Sequence, residues 1–127
     1  MRLLLAIAAG GALGALLRYG VSGLVQRAMP SGFPWGTITV NVIGSLLLGI
    51  LWFGFEKHAA SPALRGFVVV GLLGAFTTFS TYSLETVVLA RVHDIRLAAL
   101  NVVVSNLICI AAAAAGYVAA IALFSES

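Results

Sequence analysis

The sequence predicts an all-α membrane protein of four spans, and three observations carry that reading. Hydrophobic residues make up 61% of the chain and charged residues only 9%, too little polar surface for a domain surrounded by water. The mean hydropathy is +1.12. The apolar residues fall into four runs, each long enough at about 1.5 Å of rise per residue to cross roughly 30 Å of hydrocarbon. A length of 127 residues leaves no room for a second domain, so residues 1–127 are read as a single transmembrane domain bathed in membrane lipid. The net charge of +3 is small and no Lys/Arg cluster exists, so the chain has no footprint for nucleic acid. A lone Cys109 forms no internal disulfide and is read as a small apolar side chain.

The first span is placed at about 3–25. Arg2 ahead of a Leu-rich run imitates a secretory signal, but the apolar sequence continues past Gly14 and three more spans follow, which argues against cleavage. Gly10 and Gly14 lie four apart on one face, where another helix can approach closely. Arg18 is the only charge inside this run. It either snorkels to the interface or lines a wet vestibule that attracts anions.

Met29, Pro30, Gly32 and Pro34 break the chain before a second span at about 35–55, with Trp35 and Trp52 as interfacial anchors. Thr37, Asn41 and Ser45 recur every four residues and form one polar stripe. Such a stripe is either an interhelical hydrogen-bond seam or a pore lining. His58 and His93 fall in different loops at no metal-site spacing and are read as solvated.

The third span, about 66–90, holds the most unusual stretch of the chain. Where lipid calls for Leu and Val, residues 74–85 offer Thr77, Thr78, Ser80, Thr81 and Ser83, the rings of Phe76, Phe79 and Tyr82, and the carboxylate of Glu85. Unpaired polar groups in hydrocarbon cost several kcal/mol, at roughly the level of a lost hydrogen bond or more, so this stretch must face protein, water or ions. The fourth span, about 97–124, again carries a stripe, Asn101, Ser105 and Cys109, with Asn106 beside it.

Three loops between four spans put both ends on one side. That side carries Arg2, Lys57 and Arg65; the other carries Arg27, Arg91 and Arg96. The balance gives the positive-inside rule nothing to act on, and the chain is expected to insert in both orientations. Two oppositely inserted copies would then pair about a two-fold axis in the membrane plane, the symmetry that inverted-repeat transporters build within one chain.

Three segments carry a resemblance: Gly10 to Tyr19 (GGALGALLRY), Trp35 to Gly44 (WGTITVNVIG) and Gly71 to Glu85 (GLLGAFTTFSTYSLE). Together they resemble the bacterial fluoride channels of the CrcB/Fluc family in the order and spacing of all four spans. The Thr-Thr-Phe-Ser-Thr segment with an acid four residues beyond it is the specific part.

The resemblance implies an antiparallel, dual-topology homodimer in the bacterial inner membrane with two fluoride pores. It implies a break in the third helix, where the backbone carbonyls of Gly74 and Thr77 from both copies hold a central structural Na⁺. It implies a pore lined by Asn41, Phe79 and Tyr82. A polar track follows through Ser80, Thr81, Ser83 and Glu85 and on to Asn101 and Ser105, with Arg18 at the vestibule. Tyr82 stands where the family usually has Phe, and Cys109 where it often has Ser.

On this reading fluoride gives up its water for side-chain donors and the positive edges of aromatic rings, held weakly enough to leave again. Glu85 repels an anion directly, so its expected role is to accept bonds from hydroxyls and turn their protons toward the ion. The alternative is a small multidrug-resistance-type, proton-coupled exporter. That chemistry needs a carboxylate in the first span, which here has Arg18 and no acid. No nucleophile–base pair or phosphate-binding loop of an enzyme or ATPase stands out.

Overall fold

The computed structural model describes residues 1–124, with His93 by its backbone alone, so the expectation for the His93 side chain lies outside the described residues. Among the described residues the fold has four helical spans: Arg2–Ala28, Trp35–Lys57, Pro62–Val92 and Ile95–Phe124. We label the first two α1 (Arg2–Ala28) and α2 (Trp35–Lys57). The third span is a succession of pieces. It opens with α3 (Pro62–Arg65), widens into π-helical turns over Gly66–Leu73, and tightens in α4 (Gly74–Phe76). It restarts as α5 (Phe79–Val88) and ends in a second π stretch, Leu89–His93. The fourth span is one helix, α6 (Ile95–Phe124).

Only 11 to 22% of each span's apolar window is buried inside the chain. Such helices, apolar nearly all round, present most of their surface to lipid or to another protein copy. The chain is a multi-pass membrane protein on these grounds.

Two packed pairs position everything else. α1 lies along the first half of the third span, and α2 lies along α6. Small residues make both contacts close. A Cβ on Gly14 would sit 2.2 Å from the Leu72 carbonyl oxygen, and one on Gly116 would sit 2.3 Å from that of Leu46. Backbone meets backbone at these points, as small residues permit between helices in lipid.

Loop chemistry is local and economical. Gln26 staples the first loop: its Nε2 donates to the Phe33 carbonyl at 3.1 Å, and its Oε1 accepts the Gly36 N–H at 3.1 Å. That second bond satisfies one of the amides left without a partner at the start of α2, which has no side-chain cap of its own. Phe33, Ile38, Leu89 and Ala98 form a small buried cluster beneath this loop, with the Phe33 and Trp35 rings 5.0 Å apart. At the other end Arg65 donates to the Phe55 carbonyl and Lys57 to that of Phe124, occupying helix-end acceptors.

Helices run further than the apolar runs do. α1 continues to Ala28, α3 starts at Pro62, and the connection before α6 shrinks to Asp94, whose N–H bonds back to Leu89 at 3.0 Å. Polar residues at the ends of a span leave the bilayer without leaving the helix. Proline at N1 and a Ser61 hydroxyl accepting the Leu64 N–H at 3.2 Å start the third span. Ser61→Ala is expected to destabilise the protein by about 1 kcal/mol, read as a lower midpoint in a denaturing-detergent titration.

Candidate functional site

The site is built where the third span stops being a helix. Thr77 (ψ 158°) and Thr78 (φ −152°, ψ 119°) are both extended, between α4 and α5. Their residue types favour this. A β-branched hydroxyl residue competes with the ladder by bonding its own backbone neighbourhood. Thr77 Oγ1 turns back to the Leu73 carbonyl at 3.0 Å, and Thr78 Oγ1 caps α5 by accepting the Thr81 N–H at 3.3 Å.

Residue types alone do not hold two extended residues in mid-membrane. The backbone groups they release need partners, and Asn41 of α2 supplies two. Its Oδ1 accepts the Thr78 N–H at 2.8 Å, and its Nδ2 donates to the Thr78 carbonyl at 3.1 Å. One amide side chain thus replaces a strand neighbour.

The arrangement has a second effect. In a continuous helix the carbonyls of Gly74 and Thr77 would take the N–H groups of Thr78 and Thr81. Both of those amides are committed elsewhere, to Asn41 Oδ1 and Thr78 Oγ1. The break therefore frees two main-chain carbonyls from their helical donors, and Gly74 is exposed on the surface of the chain.

A groove of about 310 Å³ opens beside the break. It gathers Asn41 and Ser45 from α2, Phe79 and Tyr82 from α5, and Ser105 and Asn106 from α6. The two rings lie 5.4 Å apart, tilted by 48°. Phe79 is 76% exposed although it sits midway along the third span. A second cavity of about 360 Å³ lies across Thr78, lined by Arg18, Ser22, Thr37 and Thr81 among others. Thr78 borders both.

The expected site residues divide between these places. Asn41, Phe79, Tyr82 and Ser105 line the groove, and Gly74 and Thr77 border it at the break. Thr81 and Arg18 face the second cavity. Arg18 is half-buried there, and its Nε has no partner among the described residues. Glu85 accepts the Thr37 hydroxyl at 2.8 Å through Oε1, while its buried Oε2 has no partner among the described residues. Ser83 bonds the Phe79 carbonyl at 2.9 Å, and Ser80 approaches Thr78 Oγ1 at 3.4 Å; neither lines the groove.

Asn101 is fully buried. It works as a relay behind the groove wall: Ser105 donates to its Oδ1 at 3.0 Å, and its Nδ2 donates to Thr86 Oγ1 at 2.8 Å. Thr86 in turn donates to the Tyr82 carbonyl at 2.8 Å. Residues outside the expected set also take part: Thr78, Thr86 and Asn106 in these bonds, Ser45 in the groove lining, and Thr37 as the partner of Glu85. Asn106 was visible as a polar residue beside the α6 stripe. Thr86 carried a weaker signal, one helical turn after Tyr82.

These features define a class: a four-span helical membrane protein whose third span is interrupted in mid-membrane beside a groove of rings, amides and hydroxyls. The chain belongs to the CrcB-like protein (Camphor Resistance) family, whose sequence profile matches residues 5–117. A relative from Parabacteroides distasonis is 48% identical over 99 residues, covering 78% of this chain and 77% of its own. One from Magnetococcus marinus is 47% identical over 113 residues, covering 88% and 92%. One from Salinibacter ruber is 44% identical over 113 residues, covering 89% and 85%. Each of the three is named a fluoride-specific ion channel, FluC.

Proposed function

We propose that this chain is a fluoride-selective channel of the bacterial inner membrane, working as a homodimer of oppositely inserted copies with two pores. The observation that carries the reading is the broken third span. The break puts Asn41, Phe79 and Tyr82 on one groove in mid-membrane, and relatives that cover most of the chain are named fluoride-specific channels.

The groove's chemistry suits a small anion. Its polar groups include amide N–H and hydroxyl donors, and aromatic edges carry partial positive charge. None is a full positive charge that would trap the ion, so entry and release stay balanced. Passive flow is enough for export. An inside-negative potential contributes about 2.3 kcal/mol per charge per 100 mV toward expelling an anion.

One copy leaves exposed what a second copy would cover: Phe79, Gly74 and a groove open on one side. Equal basic charge at the two ends of the spans supports insertion both ways. The two freed carbonyls, Gly74 and Thr77, are hard neutral oxygens of the kind that hold hard cations. Two per chain are too few for a full coordination shell, and two copies double them. They fit a structural Na⁺ shared across the dimer axis, whose charge would lower the cost of an anion in hydrocarbon.

The test is efflux from liposomes. Purified protein reconstituted with trapped potassium fluoride, with valinomycin to carry the countercharge, is expected to release fluoride to an electrode and to retain trapped chloride. Vesicles that hold their fluoride under these conditions would retire the reading.

A further inference from the structure

One hydrogen-bond pattern at the groove fixes where a proton points. Asn106 Nδ2 lies 2.7 Å from the Val102 carbonyl and 2.9 Å from Tyr82 Oη. A carbonyl only accepts, so the Asn106 atom beside it must be the amide NH₂. That NH₂ only donates, so the tyrosine oxygen must be accepting. The single hydrogen on Tyr82 Oη is therefore left for a third party, and Asn106 is its one hydroxyl partner among the described residues. Both side chains line the groove with Phe79, Asn41 and Ser105. An O–H donor kept from protein acceptors in mid-membrane is an unmet demand that water or an anion can satisfy.

We propose that the Tyr82 hydroxyl is a direct donor to the conducted anion, and that Asn106 is the positioning residue that holds it in the donating state. The proposal rests on the fluoride-channel reading. It turns the departure at Tyr82 into an added ligand: where a phenylalanine offers only a ring edge, this chain offers an O–H held by the neighbouring helix. A hydrogen bond to a charged partner is stronger and shorter than one between neutral groups, which favours the smallest, hardest anion. Asn106 spends both of its N–H groups in the arrangement, one on its own helix and one on Tyr82. Its remaining contribution is orientation.

The test measures fluoride efflux against fluoride concentration for the wild type, Tyr82→Phe, Asn106→Leu and the double variant, each confirmed as folded by size-exclusion chromatography. Tyr82→Phe is expected to raise the half-saturating fluoride concentration about tenfold, the scale of losing one bond to a charged partner. Asn106→Leu is expected to raise it about threefold in the wild-type background and to have no further effect once Tyr82→Phe is present. A purely structural role for Asn106 predicts the opposite, an equal loss in both backgrounds.

A second readout does not depend on transport. In a Tyr19→Phe/Tyr117→Phe protein, fluoride is expected to shift the near-ultraviolet tyrosine band to the red, chloride is not, and adding Asn106→Leu is expected to shrink the shift. Unchanged half-saturation in Tyr82→Phe, or a fluoride-insensitive tyrosine band, overturns the proposal while leaving the channel intact. A tyrosine shift in a protein that carries no fluoride supports the donor and overturns the channel.

Discussion

Asn41→Leu is expected to lower fluoride flux at least a hundredfold. Leucine keeps the branched, four-heavy-atom shape of asparagine and removes its hydrogen-bonding atoms. It removes the acceptor at 2.8 Å from the Thr78 N–H and the donor at 3.1 Å from the Thr78 carbonyl. Each backbone group costs about 1–3 kcal/mol when it is left without the partner Asn41 supplied. Two such groups amount to about 2–6 kcal/mol, and 1.4 kcal/mol is already tenfold in an equilibrium. The chain's escape is to rewind. The Thr78 N–H can return to the Gly74 carbonyl, which straightens the third span and withdraws a carbonyl from the proposed Na⁺ site. Asn41→Asp keeps the acceptor, loses the donor and adds a negative charge beside the groove, so it is expected to be impaired as well. Liposome efflux gives the rate, and amide hydrogen exchange over residues 74–82 reports whether the Thr78 N–H has become protected. A leucine variant conducting within twofold of wild type would sink the assignment of Asn41 as the residue that keeps the break open.

The same residue shows where sequence reasoning reaches and where it stops. Hydropathy locates the spans because lipid imposes one rule on every residue of a spanning helix. The stripe of Thr37, Asn41 and Ser45 follows from helical period alone. Which polar atom meets which partner does not follow from period. Asn101 and Ser105 share a stripe, yet Asn101 is 0% exposed behind the wall while Ser105 reaches the groove. The difference lies in Thr86, which comes from another span and gives Asn101 a hydroxyl to bond. The helix of the third span outruns its apolar stretch for a related reason. Arg91 marks the edge of the apolar run, but π turns carry the helix on to His93. Only the family resemblance implies a break in the third helix, and the structure has it at Thr77 and Thr78. Composition showed only that the stretch is polar, because the interruption depends on an amide 37 residues earlier in the chain.

A second large effect concerns the space that the break needs. A Cβ on Gly44 would lie 2.2 Å from Thr77 Cγ2 and 3.4 Å from Phe76 Cδ1. The nearer distance is far inside van der Waals contact, and Thr77 has little freedom to withdraw. Its N–H and Oγ1 are both tied to the Leu73 carbonyl at 3.0 Å. Gly44→Ala is therefore expected to push Thr77 out of place and lower fluoride flux at least tenfold, the scale of about 1–3 kcal/mol of overpacking. Helix propensity works in the other direction, since alanine stabilises a helix interior by about 1 kcal/mol over glycine, so a loss cannot come from α2 itself. Thr77→Ser deletes the methyl group that clashes and keeps the hydroxyl that bonds Leu73. Alone it is expected to conduct within about threefold of wild type, the effect of one methyl group. Combined with Gly44→Ala it is expected to restore most of the lost flux, a coupling of about 0.5–3 kcal/mol between touching residues. A double variant as poor as Gly44→Ala alone would mean that Gly44 serves some contact other than Thr77.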